Sequence, residues 1–473
     1  MTTKARFIIA DQALKSVTGH FYEYDVSVAA NVPEPYEPLI VANSEAGPEV
    51  LSHASPFFQC DFWGPTAMRR SKLGGDKPRR LADLRVAARG IAAQTHLLPL
   101  LQLMRRMVER SRTALRDTIA RGGAARPPDA AGFGAGQLNG GERWLKDIFL
   151  QDLVELFETY AIAPQDVLFF PNMNHWTLAA VAELQQNVPF ERWPALKLLF
   201  RRNIDTISRG SVSTTESAYW AGVLRRSFDL LASPMAAGRL NLYTDTTRLQ
   251  AEYAIVSSFA FIVLPIPFRH DYIALKAMVP ETFQVAYFGE ARLEKGFGHL
   301  PALVEQFYAE RESGRVRFVF QAVPAPEPAV MAAINQLRSM AGVTLLDKPL
   351  SDQEYYALLN SSDVVLLLYE PLRYFSRSSC IFIESVVSAT PCVTFANSWM
   401  ASVMEPGTGE IVESASEIPT ALRKILDGYS GYQAAIAKTG QRWRKYHNPR
   451  HLVELLLNGA ADAVRAQVLA EEV

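Results

Sequence analysis

Short apolar runs rich in β-branched and aromatic residues alternate with helical stretches along this chain, a rhythm that admits little besides α/β folds with parallel sheets. Residues 5–11 (ARFIIAD) read as an opening strand, followed by a Gly-containing turn into a helix at TGHFYEYDVSVAANV. EPLIVAN (37–43), DVLFFPN (166–172), ALKLLFR (195–201) and LNLYTDT (240–246) continue the series. FIVLPIPFRHDY (261–272) carries two prolines and no helical period, so it reads as a linker. A second series starts at FQVAYFGEARLEKGFG (283–298) and runs through VRFVFQA (316–322), GVTLLD (342–347), DVVLLLY (363–369) and TPCVTFA (390–396). Two Rossmann-like domains facing a cleft are the economical architecture: residues 1–268, a linker at 269–282, residues 283–445, and a helical pattern over 446–473. In such sheets ligands sit at the carboxyl ends of the strands, so the loops there should carry the chemistry.

Composition narrows the class. With 473 residues, 49% hydrophobic and 21% charged, the chain suits a water-soluble protein of two large domains. A formal net charge of −1 argues neither for nor against an anionic partner, and no nucleic-acid partner is expected. That balance hides a basic region: residues 69–121 hold fourteen Lys and Arg against four acids. Within it LLQLMRRMVERSRTALRDTIA has the period of a basic amphipathic helix, which can lie on an anionic membrane or be a domain helix with a solvated face. RGGAARPPDAAGFGAGQLNGGE (121–142) reads as a flexible insertion. Three cysteines make no disulfide framework, the N-terminus has no signal-peptide pattern, and no apolar run is long enough to span a bilayer. The expected location is the cytoplasm, including the inner face of the membrane.

Two stretches stand out for chemistry. After the first strand of the second series, Gly289 permits a tight turn, Arg292 and Lys295 bring two cations, and Gly296 opens a helix, a combination suited to a diphosphate. It is not a Walker loop. Further on, EPLRYFSRSSC (370–380) offers hydroxyls, two arginines and an aromatic ahead of a helix, CIFIESVV, starting at Ser378–Cys380. The free N–H groups of that helix would point into the cleft. Glu384, one to two turns in, can accept hydrogen bonds from the vicinal hydroxyls of a ribose, or pair with a surface arginine; residue type leaves both open. In the first half, Gly19 and His20 follow the opening strand, and His175 lies among Asn172, Asn174 and Trp176 in PNMNHWTL. Amides bond sugar hydroxyls and aromatics stack on sugar rings, although a lone loop histidine is often structural. Thr244, Asp245 and Thr246 end another strand. No metal site is expected, because Asp-x-Asp and zinc-type spacings are absent, and Gly-x-Ser-x-Gly is absent too.

The order of Gly289, Arg292, Lys295-Gly296, then LLDKPLSDQEYYALLNSSDVVLLLY, a loop, a helix centred on Glu384 and ATPCVT resembles the C-terminal half of family-4 glycosyltransferases. Their signature is Glu, seven residues, Glu, and an Ala-x-Gly-x-Pro-Val-Val turn. Glu384 matches the second Glu, Ser376 stands at the first, Thr390 replaces the Gly, and the Arg–Lys spacing is shorter here. The resemblance implies a GT-B fold, with the C-terminal helix packing back on the N-domain. It also implies transfer of a sugar, with retention and without metal or cofactor, from a nucleotide-diphosphate sugar to a glycan, lipid-linked or protein acceptor. By position it assigns Arg292, Lys295, Gly19, Ser378 and Ser379 to the diphosphate and Glu384 to the ribose. Lys348 and Leu350 would border the base, Arg373, Tyr374, Ser376 and Arg377 the transferred sugar, and His175 with His20 would be catalytic. The serine at 376 also admits a catalytically silent GT-B protein that only binds nucleotide or glycan. An epimerase of the same fold would need a pair of carboxylates in the cleft, which the sequence does not locate.

Overall fold

The computed structural model describes residues 4–17, 20–62, 64, 138–205, 207–208, 211–274, 279–325 and 327–458. The basic stretch 69–121, Gly19, most of the insertion and residues 459–473 lie outside them.

The N-domain is a seven-stranded parallel sheet in the order β3-β2-β1-β4-β5-β6-β7. Its strands are β1 (Arg6–Ala10), β2 (Glu37–Asn43), β3 (Ser55–Phe58), β4 (Val167–Met173), β5 (Ala195–Phe200), β6 (Leu240–Thr244) and β7 (Phe261–Val263). The C-domain sheet has six parallel strands in the order β10-β9-β8-β11-β12-β13. These are β8 (Phe283–Tyr287), β9 (Val316–Gln321), β10 (Val343–Leu346), β11 (Val364–Leu367), β12 (Cys392–Phe395) and β13 (Gly409–Val412). Central strands covered on both faces are largely apolar, as in the wholly buried β8 and β11, and the polar Gln284 of β8 is paired to Ser361 and Ser362.

Helices α1 (His20–Ala29), α2 (Gly140–Thr159), α3 (His175–Leu184), α4 (Thr214–Leu230) and α5 (Thr247–Ala254) belong to the N-domain. The C-domain contributes α6 (Leu300–Gln306), α7 (Pro328–Arg338), α8 (Asp352–Ser361), α9 (Cys380–Val387), α10 (Ile418–Asp427) and α11 (Tyr429–Tyr446), and α12 (Pro449–Asn458) follows. Side-chain caps fix the helix starts that face the cleft. Asn174 and Thr177 form a capping box on α3, Ser351 and Glu354 one on α8, and Thr246 and Ser379 cap α5 and α9.

The chain crosses between domains earlier than the linker pattern suggests. Leu264 packs in the N-domain core, whereas Ile266 and Phe268 already pack in the C-domain core. FIV at 261–263 is the edge strand β7, not linker. The return crossing follows α11, and α12 then lays Leu452, Val453, Leu455 and Leu456 against the N-domain beside Phe7, Tyr24 and Val28. The Ile266 N–H donates to His447 Nδ1 at 3.0 Å, tying the two crossings together. Burial, aided by His451, pulls the His447 pKa down to about 3, so the ring is neutral and free to accept.

Candidate functional site

In the C-domain half of the cleft, the turn after β8 is shaped by its glycines. Gly289 has φ 99°, and a Cβ there would lie 3.1 Å from Lys295 Nζ. Gly296 has φ 80°, and its Cβ would stand 2.0 Å from the Leu368 carbonyl oxygen, so this turn closes onto the end of β11 only as glycine. The two cations of the turn differ. Arg292 is paired with Glu290 and lies 3.6 Å from Glu294. Lys295 has no ion pair or hydrogen bond among the described residues, and burial, with the Arg292 charge adding to it, holds its pKa below the usual lysine value.

Beyond β11, Ser379 Oγ caps α9 by accepting the Phe382 N–H at 3.2 Å. Glu384 is buried, and its carboxylate is neither open to the surface nor paired with an arginine. Tyr356 Oη donates to it at 3.1 Å and Tyr355 Oη at 2.5 Å, both from α8. Lys348 is exposed and Leu350 half-buried in the loop ahead of α8.

The loop 373–378 forms a clasp between the domains. Arg373 donates to the Ile207 carbonyl at 3.3 Å and pairs with Glu294 and Glu370. Arg248 donates to the Phe375 carbonyl at 2.7 Å and lies over the Phe375 ring. Thr246 Oγ1 donates to the Ser376 carbonyl at 2.6 Å, Arg377 to Asn203 Oδ1 at 2.7 Å and Ser378 Oγ to Asp245 Oδ2 at 2.7 Å. Tyr374 packs on Tyr369 within the C-domain. Ser376, fully buried, hydrogen-bonds to Glu252, so a carboxylate does stand at that position, delivered by α5 of the opposite domain.

The N-domain half was largely missed by sequence reasoning. At the carboxyl ends of β1, β4, β5 and β6, adjacent in the sheet, stand Asp11, Asn172, Arg201 and Asp245, Asn172 as the next-to-last residue of β4 and the others just after their strands. Asp11 accepts the Ala13 N–H at 2.8 Å and Asn172 Nδ2 at 3.0 Å. Arg201 Nε donates to Asp245 Oδ2 at 3.2 Å, and its guanidinium lies 4.4 Å over the Tyr24 ring. Asp25 on α1 faces Asp11 with no donor on either carboxyl oxygen. The only hints were acids directly after strand ends and an aspartate on the buried side of an apolar helix.

His175 has close partners within the N-domain. It is buried at the start of α3, with Nε2 2.8 Å from Glu142 Oε1 and its ring stacked on Trp220 at 4.7 Å. Glu142 also accepts from Tyr219 Oη at 2.5 Å. These contacts pack the ring between α2 and α4. His20 opens α1, but its side chain and Gly19 are outside the described residues.

A cavity of about 720 Å³ opens at the carboxyl ends of the C-domain strands, lined by Glu294, His299, Leu368, Glu370, Arg373 and Phe395 among others. Lys295 and α9 are not part of its lining. Among the described residues no group of three or more His, Cys, Asp or Glu is arranged to hold a metal ion, and no helix is long and apolar enough to cross a membrane.

No protein-family model matches the sequence, and no curated protein does. Solved structures do match in fold. The N-terminal domain of Candida albicans trehalose-6-phosphate phosphatase aligns with a TM-score of 0.57 at 11% identity, over 98% of this chain and 97% of that one. Anabaena HepE in complex with UDP-glucose aligns at 0.56 and 11% identity, over 96% and 98%. The S. aureus MnaA–UDP structure aligns at 0.51 and 11%, over 98% and 97%. The chain has the GT-B fold, two Rossmann-like domains facing a cleft.

Proposed function

We propose that this protein is a glycosyltransferase that moves a sugar from a nucleotide-diphosphate donor to a hydroxyl of a glycan, lipid-linked or protein acceptor, with retention and without metal. The observation that carries this is Lys295, a half-buried ammonium at the Gly289 turn with no direct ion pair among the described residues, on the side from which α9 starts. A half-buried ammonium with no direct ion pair is partly desolvated, and a bound diphosphate offsets that cost. Lys295 and the N–H groups at Ser378–Cys380 would stabilise the charge developing on the departing diphosphate. Arg292 would join them on release from Glu290. Glu384 has accepting capacity beyond its two tyrosines, since a carboxylate offers about four lone-pair sites, and it takes the ribose. Two structures of similar fold, those of HepE and MnaA, hold UDP-glucose and UDP, which supports a nucleotide-sugar ligand.

A silent nucleotide-binding protein is the second reading, favoured by the paired Arg292 and the shut clasp. Thermal unfolding with UDP, GDP, TDP, ADP and CMP, in the wild type and in Lys295→Met, tests the site. One nucleoside diphosphate should stabilise the wild type by about 2.7 kcal/mol at roughly 100 times Kd, and the variant far less. No stabilisation by any of them would end the donor assignment. Stabilisation without transfer from any sugar of that nucleotide would leave the silent protein.

A further inference from the structure

Helices α2, α3 and α4 pack side by side in the N-domain and enclose a cavity of about 360 Å³ that the proposed reaction does not use. Arg143 and Lys146 face it from α2 and Glu183 from α3. Val223, Arg226, Ser227 and Leu230, on one stripe of α4, complete its side walls. Leu138 and Val223, both buried, form an apolar floor, and Ser227 Oγ is committed there, donating to the Val223 carbonyl at 2.8 Å. Lys146 is buried too, and its ammonium is held by Asp147 at 2.8 Å and by Glu183. Arg143 and Arg226 are exposed at the mouth. Arg143 gives one nitrogen to the Leu138 carbonyl at 3.3 Å, and neither arginine meets a carboxylate among the described residues.

The charge that the fold leaves uncommitted here is therefore a pair of guanidiniums, whose planar N–H forks suit phosphate oxygens. Apolar surface adjoins them. Leu230 on the rim is 42% exposed, and Trp144, next to Arg143 on α2, is 41% exposed. A single exposed apolar side chain needs no explanation. Two of them beside an arginine pair and an apolar-floored cavity match a phospholipid, in which hydrocarbon follows the phosphate. A free phosphate would leave the floor and the rim unused. The sequence leans the same way: residues 69–121 carry fourteen Lys and Arg against four acids, and the described chain resumes at Leu138, in the lining of this cavity. Basic charge of that density is drawn to an anionic leaflet.

We propose that the cavity takes the phosphate and first carbons of an anionic phospholipid, so that the N-domain docks on an anionic membrane. Arg143 and Arg226 hold the headgroup, and Trp144 and Leu230 lie at its depth. The docking does not depend on the glycosyl-transfer reading. Together with that reading it singles out the lipid-linked acceptor, because an enzyme held at the bilayer meets such acceptors at high effective concentration.

Flotation of the full chain with vesicles tests this. The protein should float with phosphatidylcholine vesicles that contain phosphatidylglycerol, not with phosphatidylcholine alone, and salt should weaken the binding. Arg143→Gln combined with Arg226→Gln should weaken it roughly 30-fold, the worth of two arginines at an anionic surface. Both side chains are exposed, so melting temperature and nucleoside-diphosphate binding should stay at wild type. Arg192→Gln with Arg315→Gln removes the same charge from exposed arginines elsewhere and should float as wild type. An equal loss in that control would make the attraction one of net charge and overturn the site. Wild-type flotation by the first pair overturns it too, and so does a wild-type protein that floats with neither vesicle. Stabilisation by glycerol 3-phosphate without flotation would make this a site for a soluble phosphate and overturn the docking. If vesicles bind and no nucleoside diphosphate does, the donor reading fails and the docking stands.

Discussion

On the C-domain side of the cleft, Glu384 has two tyrosines, Arg292 has two glutamates and α9 has its serine cap, all from within the same domain. On the N-domain side, Asp25, Asp245 Oδ1 and the Tyr24 hydroxyl are buried and incomplete. Both halves sit at the carboxyl edge of a parallel sheet, so topology does not account for the contrast. The C-domain half is a preassembled scaffold that withholds one charge, Lys295, for a ligand. The N-domain half stores unmet hydrogen-bonding capacity, which costs stability and is the usual mark of a site shaped for chemistry.

The scaffold half can be broken in two graded ways. Gly296→Ala would force a Cβ to 2.0 Å from the Leu368 oxygen at a left-handed backbone, so denaturant melting should register a loss of roughly 4 kcal/mol. A loss below about 1 kcal/mol would mean that the turn yields and is no rigid scaffold. Glu384→Ala should cost about 3 kcal/mol, because both tyrosine hydroxyls are then buried unpaired beside α9. Asp25→Asn is the matched change across the cleft and should leave stability nearly untouched, since it replaces a protonated acid whose oxygens have no donor. Equal losses in these two variants would erase the contrast.

The scaffold half was the legible one. Parallel strands read as short, mainly apolar runs, so β2 over 37–43 could be delimited and the second series started at 283 from residue pattern alone, and the start of α9 followed from its serines. β3 (SPFF) and β13 (GEIV) escaped because four residues at a sheet edge carry too little pattern. Lys295 could be nominated, but not distinguished from Arg292, because the glutamates that pair with Arg292 act through geometry. Asp11 and Asp25 come from one βα unit and Arg201 from another, and they look ordinary one by one; the order β1-β4-β5 brings the strand ends together. His175 looked catalytic for its place after a strand, yet its partner Glu142 arrives from the first turn of α2, 33 residues earlier in the chain.

The boundary between the halves offers the mildest test. Glu23 on α1 faces Asp352 at the start of α8 in the other domain, with Arg269 from the crossing segment donating to Glu23 Oε2 at 2.7 Å. Glu23 Oε1 has no donor. Burial first, and then Asp352, raise the Glu23 pKa from 4.5 to about 7, against the pull of Arg269. Between those two values the folded protein holds a proton that the unfolded chain has released. Stability from this group is therefore full below pH 4.5 and is lost as pH rises through about 7. Glu23→Gln keeps the shape and cannot ionise, so its melting temperature should fall less steeply over that window. At a boundary open to water, the difference should be about 1 kcal/mol. Parallel curves for wild type and variant would place Glu23 and Asp352 apart in solution. The clasp of residues 373–378 would then hold the two domains together without help from α1.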